Sequence, residues 1–169
     1  KKISVEETAR AACRLEIDLL GEPIGKQDQY AAAYGGFNRF QFNEDESVDV
    51  SPIFLGYEAR ARLEQSLLLF FTGITRAASS ILAEQGSKVD EHLETYRTMS
   101  DSVSAFETPL IRGDVPGIGA MLHDGWVMKR GLSKGISSVG LDTLYDAGRA
   151  AGAYGGKVLG AGGGGCLLF

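Results

Sequence analysis

The sequence is poor in cysteine and histidine and has no long apolar run, and each scarcity excludes a class of protein. Two cysteines, Cys13 and Cys166, lie far apart among 169 residues, which provides neither a disulfide framework nor the spacing of a metal site. The two histidines, His92 and His123, have no companions at ligand spacing, so we expect no metal site within this chain. The longest apolar run, at residues 67–71, is far too short to span a bilayer. We therefore expect a cytoplasmic protein with reduced thiols and no membrane partner.

The sequence also lacks an excess of basic residues. Its formal net charge is −5, whereas general nucleic-acid binders present a basic face, so we expect no nucleic-acid partner. Hydrophobic residues make up 44% of the chain and charged residues 23%, which predicts a globular fold with a core of its own. A small anionic ligand stays compatible with this balance, because a few lysines and arginines suffice to hold a phosphate. The oligomeric state is left open.

Hydrophobic periodicity predicts a helix-rich α+β fold. Ser4 and Glu7 form the pattern of a capping box at a helix start. Residues 37–42 alternate apolar and polar, and with residues 48–50 they predict a hairpin. The run at 66–71 predicts a buried strand. Later patterns predict helices near 74–86, 89–110, 116–130 and 141–151, and strands near 157–159 and 166–169.

A glycine run near the end of the sequence is its strongest single motif. Residues 160–165 read Gly-Ala-Gly-Gly-Gly-Gly between two short apolar strands. Glycine is costly in backbone entropy, so this run indicates a need for positive φ angles or a close backbone approach. The loop amides could approach a phosphate, or the loop could pack under a neighbouring phosphate-binding loop. A tight hairpin or a flexible linker is the alternative. The candidate nucleotide-binding residues are Gly160, Gly162, Gly163, Gly164 and Gly165.

A second candidate segment surrounds Asp28, which lies between two amides and close to a lysine in a stretch of small residues. A carboxylate in such a place could accept a proton from a substrate hydroxyl. A nearby cation such as Lys26 would keep that carboxylate ionised. The alternative is that Asp28 is a helix cap or an ordinary surface charge. Lys26 and Gln27 are the neighbouring candidates for substrate binding.

Arg76 is the best-placed cation for an anionic ligand. It follows a predicted strand and is predicted to lie in the first turn of a helix, where the helix N-terminus and a guanidinium together favour an anion. An exposed arginine on a capped helix is the alternative. The other candidates for contact with the substrate or its phosphate are Arg39, Thr72, Gly73, Thr75, Lys129 and Arg130.

Together, the glycine run and the Asp28 segment resemble motifs of the GHMP kinases, the family of galactokinase, homoserine kinase and mevalonate kinase. Residues 157–166 are similar to the glycine-rich third motif of that family. Residues 25–36, 72–76 and 123–132 are most similar to its heptose-phosphate kinases. The resemblance covers essentially the whole chain, and its glycine motif is the specific part.

The resemblance implies an ATP-dependent kinase that uses Mg²⁺ and phosphorylates a sugar hydroxyl. For the heptose-phosphate kinases, the substrate is D-glycero-D-manno-heptose 7-phosphate, on the route to the nucleotide-activated heptose of lipopolysaccharide. Asp28 matches the residue that orients or deprotonates the attacking hydroxyl in several family members. Because phosphoryl transfer depends mostly on positioning and electrostatics, Asp28 could position more than it abstracts.

The resemblance also implies two domains and an incomplete chain. Residues 1–52 correspond to the end of the N-terminal kinase lobe, and residues 53–169 to the helix-rich C-terminal lobe with its ferredoxin-like sheet. The family's second motif, Gly-Leu-Gly-Ser-Ser-Ser/Ala, forms the main phosphate-binding loop and does not occur in these residues. We therefore expect truncation at both ends, Mg²⁺ ligands elsewhere, and little activity from this stretch alone.

Three other interpretations stay open at this level. Another sugar kinase of the family, similar to fucokinase or galactokinase, would not require a second phosphate site near Arg76 and Lys129. A non-catalytic sugar-sensing relative would retain the lobe without the chemistry, although the intact Asp28 segment argues against it. An α+β domain whose glycine run is only a hairpin is the third.

Overall fold

The computed structural model describes residues 2–169 and divides the chain into two compact units. The first unit ends at Phe54, and the second comprises Leu55–Phe169. The assignment of residues 1–52 to the end of an N-terminal kinase lobe stays a prediction. Among the residues described, no helix combines the length and the apolar character needed to cross a bilayer.

The first unit consists of two helices and a hairpin. Helix α1 (Val5–Cys13) continues as a π-helix (Arg14–Leu19), and it is followed by α2 (Gln27–Tyr34), β1 (Asn38–Phe42) and β2 (Val48–Pro52). The predicted capping box is confirmed: the Glu7 amide donates to the Ser4 hydroxyl at 3.1 Å, and the Ser4 amide donates to the Glu7 carboxylate at 2.8 Å. The predicted hairpin is also confirmed, with β1 and β2 antiparallel in one sheet.

Tyr30 is at the centre of the small core of this unit. Its ring packs with Ala9 and Cys13 of α1, and it meets Phe40 of the hairpin edge-on at 6.3 Å between ring centroids. Burial raises the pKa of the Tyr30 hydroxyl and of the Cys13 thiol, because both lose solvent for their charged forms. The apolar face of α1 therefore packs against α2 and the hairpin of its own unit.

The second unit contains five α-helices and three short strands within the described chain. In order, these are α3 (Tyr57–Ser66), β3 (Leu69–Phe71), α4 (Ala78–Gly86), a 3₁₀ turn (Asp90–His92), α5 (Leu93–Arg112), α6 (Val115–Arg130), α7 (Val139–Ala150), β4 (Lys157–Val158) and β5 (Cys166–Leu168). The helix starts have chemical causes: the Asp114 carboxylate accepts from the Gly117 amide at α6, and the Ser138 hydroxyl accepts from the Leu141 amide at α7. The helix-rich α+β fold class is confirmed.

The strands of this unit form an antiparallel sheet in the order β3-β5-β4. Phe70 pairs with Leu167, which pairs with Val158, and the last two are buried. The prediction of a buried strand at 66–71 was wrong in two respects. Ser66 ends helix α3, and the three residues of β3 are more than half exposed. An apolar run is buried only where other elements cover both faces of the strand, and the described elements leave these three side chains mostly uncovered.

Trp126 and Tyr145 anchor the core beneath this sheet. Both are almost completely buried, and their rings lie 6.2 Å apart at the centre of a cluster. That cluster also includes Ile81, Leu132, Ile136, Val158 and Leu167. Ile136 lies against the glycine run in space, and Val158 precedes the run in sequence. The packed core therefore extends up to that loop.

Candidate functional site

The glycine run forms a loop between β4 and β5 that is tied to two other segments. The Leu159 amide donates to the Cys166 carbonyl at 2.9 Å and closes the hairpin. The Gly163 amide donates to the Ile136 carbonyl, and the Gly165 amide donates to the Ile74 carbonyl, both at 2.8 Å. The loop is therefore ordered by specific hydrogen bonds, unlike a flexible linker. These two amides bond within the chain, which leaves other parts of the loop to approach a ligand.

Close packing explains why two of these positions are glycine. A Cβ atom at position 162 would lie 2.7 Å from the Ile136 carbonyl oxygen. A Cβ atom at position 164 would lie 2.9 Å from the Ile74 carbonyl carbon. Neither neighbour can yield easily, because each is backbone. Position 160 differs, since a Cβ atom there would meet no atom within 4 Å. The middle of the loop is therefore closely packed against backbone, whereas Gly160 at its beginning is not.

The segment from Thr72 to Arg76 lies directly against this loop. The Thr72 amide and hydroxyl both donate to the Gly165 carbonyl, at 2.9 and 2.8 Å. The Thr72 hydroxyl also accepts from the Ile74 amide at 3.2 Å. Gly73 and Thr75 are exposed beside it. The structure therefore brings together two stretches, near 72–76 and 160–165, that the sequence analysis selected separately.

Arg76 extends along the loop. Its Cδ atom lies 3.4 Å from the place of a Cβ at Gly163, and its side chain is exposed. Among the described residues it has no ion-pair or hydrogen-bond partner. The prediction that Arg76 lies in the first turn of a helix was wrong: α4 begins at Ala78, and Arg76 belongs to the irregular segment before it. A guanidinium without a partner among the described residues therefore lies beside the loop, two residues before α4 begins.

The two cations at the end of α6 have different partners. The Lys129 ammonium donates to the Gly160 carbonyl at the start of the glycine loop. The Arg130 guanidinium lies 3.5 Å from the Asp142 carboxylate, which also accepts from the Ser137 hydroxyl at 2.7 Å. Lys129 therefore contacts the glycine loop, whereas Arg130 lines a separate cleft with Lys134 and Asp142.

Asp28 lies in the first unit, at the second position of α2. Its side chain is exposed, and it has no hydrogen-bond partner among the described residues. Lys26 does not pair with it, because the Lys26 ammonium lies 3.5 Å from the Glu46 carboxylate in the hairpin turn. Gln27 is exposed and Arg39 is half-buried on β1. Asp28 is therefore available to bind a ligand. Lys26, the cation expected beside it, pairs with Glu46 instead.

The sequence analysis did not identify the backbone carbonyls of Ile74 and Ile136 that hold the loop. No sequence signal could have found them, because every residue carries a carbonyl. Lys157, the first residue of the glycine-rich motif, lies in β4, and burial lowers the pKa of its ammonium group. The described residues contain no group of three or more His, Cys, Asp or Glu side chains able to hold a metal ion.

A family model matches the C-terminal part of the chain. Residues 105–169 match the model described as GHMP kinases C terminal. This range contains α6, α7 and the whole glycine loop, so this part of the chain is a GHMP kinase C-terminal domain.

Individual relatives are similar over nearly the whole chain. A protein of Campylobacter jejuni named D-glycero-alpha-D-manno-heptose 7-phosphate kinase is 33% identical over 165 residues, covering 96% of this chain and 49% of that protein. The mevalonate kinase of Pyrococcus abyssi is 29% identical, covering 98% and 48%. The crystal structure of a D-glycero-D-manno-heptose 1-phosphate kinase from Bacteriodes thetaiotaomicron superimposes with a TM-score of 0.64 at 29% identity, covering 100% and 45%. The chain spans about half the length of the curated relatives it matches.

Proposed function

We propose that the protein carrying this chain is an ATP-dependent small-molecule kinase that phosphorylates a sugar phosphate. Its proposed substrate is D-glycero-D-manno-heptose 7-phosphate, with the anomeric hydroxyl as acceptor. The observation that carries the proposal is the 33% identity, over 96% of the chain, to a protein named as the kinase of that substrate. Because ATP and sugar phosphates are cytoplasmic metabolites, the cytoplasm is the proposed compartment.

The proposed reaction needs a nucleotide beside the glycine loop. At Gly160 no atom lies within 4 Å of the place of a Cβ atom, and the middle of the loop is held by the Ile136 and Ile74 carbonyls. Such a loop can lie beside a polyphosphate without rearranging when the nucleotide binds, which is the form of electrostatic preorganisation that phosphoryl transfer requires. Its proposed role is to shape the nucleotide site, together with phosphate-binding residues outside this chain.

Asp28 is proposed to handle the proton of the acceptor hydroxyl. In the transfer, the acceptor oxygen forms a bond to the γ-phosphorus while the bond from that phosphorus to the β,γ-bridging oxygen breaks, and ADP leaves. The hydroxyl proton passes to the Asp28 carboxylate, or is held by it until the oxygen has been phosphorylated. An exposed carboxylate without a partner among the described residues is available for this role.

Arg76 is proposed to bind the phosphate that the substrate already carries. An exposed guanidinium beside Gly163 offers a bidentate donor to a phosphate, while Thr72 fixes the segment on which it lies. Thr75 and Gly73 are the neighbouring residues proposed to contact the sugar. A kinase for an unphosphorylated sugar would not need this cation, so Arg76 is the residue that separates the two substrate classes.

The test is an assay of ATP-dependent phosphorylation by the protein that carries this chain. The panel contains heptose 7-phosphate, heptose 1-phosphate, galactose, fucose and mevalonate. We expect turnover of the heptose 7-phosphate alone. Asp28→Asn should lower kcat by about 10²–10⁴-fold if the carboxylate acts as the base. Asp18→Asn, an exposed carboxylate in the same unit, is the matched control and should be neutral.

Arg76→Ala should raise KM for the sugar phosphate by about 10- to 100-fold, as expected for lost hydrogen bonds to a charged group. Arg97→Ala, an exposed arginine on α5, is its control. An unchanged KM for the heptose 7-phosphate in Arg76→Ala would refute the proposed phosphate contact.

A second candidate is a different kinase of the same family. The 29% identity to a mevalonate kinase, over 98% of the chain, favours it. Turnover of mevalonate or of a simple hexose, without turnover of the heptose phosphate, would replace the proposed substrate and retain the reaction type. Sugar binding without turnover of any substrate would instead support the sensor hypothesis.

A further inference from the structure

One side chain connects the end of α6 to the beginning of the glycine loop. The Lys129 ammonium donates a hydrogen bond to the carbonyl oxygen of Gly160, a residue 31 positions further along the chain. Lys129 is half-buried, and its charge-assisted bond to the Gly160 carbonyl lies at an exposed position. The bond therefore joins two elements that the sequence separates.

The beginning of the loop is the part that most needs such a bond. The middle is held by the Gly163 and Gly165 amides and by contact of Gly162 with Ile136. At Gly160, by contrast, nothing lies within 4 Å of the place where a Cβ atom would be. The side chain of Lys129 thus supplies a restraint that close packing does not supply at this position.

We propose that Lys129 is a positioning residue that fixes the start of the glycine loop against the C-terminal end of α6. The catalytic consequence rests on the proposed kinase function, since the loop is proposed to lie beside the nucleotide. With the restraint in place, the loop meets the nucleotide in one conformation. Without it, each binding event must first order the loop, which lowers the apparent affinity for ATP.

This proposal revises the prediction that Lys129 contacts the substrate. A substrate contact would affect KM for the sugar phosphate, whereas a loop restraint affects KM for ATP and the hydrogen exchange of the loop amides. The two roles can therefore be separated by measurement.

The experiment uses three variants of the protein that carries this chain. Lys129→Met removes both the charge and the donor, whereas Lys129→Arg retains both. Lys134→Met removes an exposed lysine from the turn after α6 and is the matched control. The first measurement is hydrogen–deuterium exchange of the amides at residues 159–165, which does not depend on kinase activity. The second is KM for ATP and kcat.

We expect amide exchange in the loop of Lys129→Met to be at least about tenfold faster, because the lost bond is charge-assisted. We also expect KM for ATP to rise by on the order of tenfold with a smaller change in kcat. Lys129→Arg should restore both values, and Lys134→Met should change neither.

Unchanged exchange in Lys129→Met would overturn the proposal whatever the activity. Faster exchange with an unchanged KM for ATP would overturn its catalytic part. If the wild-type protein has no kinase activity, the proposed function fails, and the exchange measurement still decides whether Lys129 positions the loop.

Discussion

Substitution of Gly162 by alanine tests whether close packing holds the glycine loop. The backbone at Gly162 has φ +100°, and an added Cβ atom would lie 2.7 Å from the Ile136 carbonyl oxygen and 2.9 Å from the Ile136 Cγ2 atom. Gly160 is the matched control, since its φ is +67° and its added Cβ atom would meet nothing within 4 Å. The two variants therefore share a positive φ but differ in steric contact.

The expected magnitudes follow from these two terms. Holding an alanine at a positive φ costs at least about 1–2 kcal/mol, and this applies to both variants. Overpacking against a neighbour that cannot yield adds about 1–3 kcal/mol, and this applies to Gly162→Ala only. We expect the free energy of unfolding to fall by about 1–2 kcal/mol in Gly160→Ala and by about 2–5 kcal/mol in Gly162→Ala.

The assay is urea unfolding followed by tryptophan fluorescence. Trp126 is the single tryptophan of the sequence, and it is buried in the same core cluster as Ile136, so its emission reports on the unit that contains the loop. Equal destabilisation by the two variants, or a Gly162→Ala variant as stable as the wild type, would refute the packing argument.

Two further predictions concern buried polar groups of the second unit. Burial lowers the pKa of Lys157 below its ordinary 10.5, so the unfolded chain binds the proton more tightly and wild-type stability should rise with pH between the folded value and 10.5. We therefore expect Lys157→Met to be more stable than the wild type at neutral pH, and its stability to rise less toward alkaline pH, as measured by thermal unfolding. A lower stability than the wild type at neutral pH would contradict this prediction. The Tyr145 hydroxyl lies 2.7 Å from His123 Nδ1, and Tyr145→Phe should cost about 0.5–1.5 kcal/mol in urea unfolding because the hydrogen bond to the half-buried histidine is lost. Tyr154→Phe, at a ring that is 57% exposed, should change stability by less than about 0.5 kcal/mol, and equal effects would argue against the histidine contact.

Much of the fold could be predicted because its causes are local. The capping box of Ser4 and Glu7 closes over three residues, and alternation along residues 37–42 is a property of one strand. The start of α6 near Pro116 and its end before Gly131 likewise depend on neighbouring residues. In each case the chemistry that sets the structure lies within one or two turns of chain.

The mistaken predictions share a different cause. Residues 67–71 are as apolar as a buried strand, yet β3 pairs with β5 alone and the described elements leave Leu69 and Phe71 mostly uncovered. Arg76 follows a strand, but the hydrogen bonds of Thr72 and Ile74 fix this irregular segment against the glycine loop, and the helix starts only at Ala78. Both outcomes depend on residues more than ninety positions away, in β5 and the loop before it.

The sequence by itself determined the helix-rich α+β class, the hairpin, most helix boundaries and the presence of a glycine loop that needs unusual backbone angles. These properties follow from residue type and short-range spacing. Only the tertiary structure decided that the carbonyls of Ile136 and Ile74 accept hydrogen bonds from that loop. It also decided that Lys129 donates to the Gly160 carbonyl, whereas Arg130 pairs with Asp142. Arg76 lies beside the loop without a partner among the described residues. The physical reason is that backbone carbonyls carry no signature in sequence, and a long cationic side chain finds its partner only after distant elements have packed.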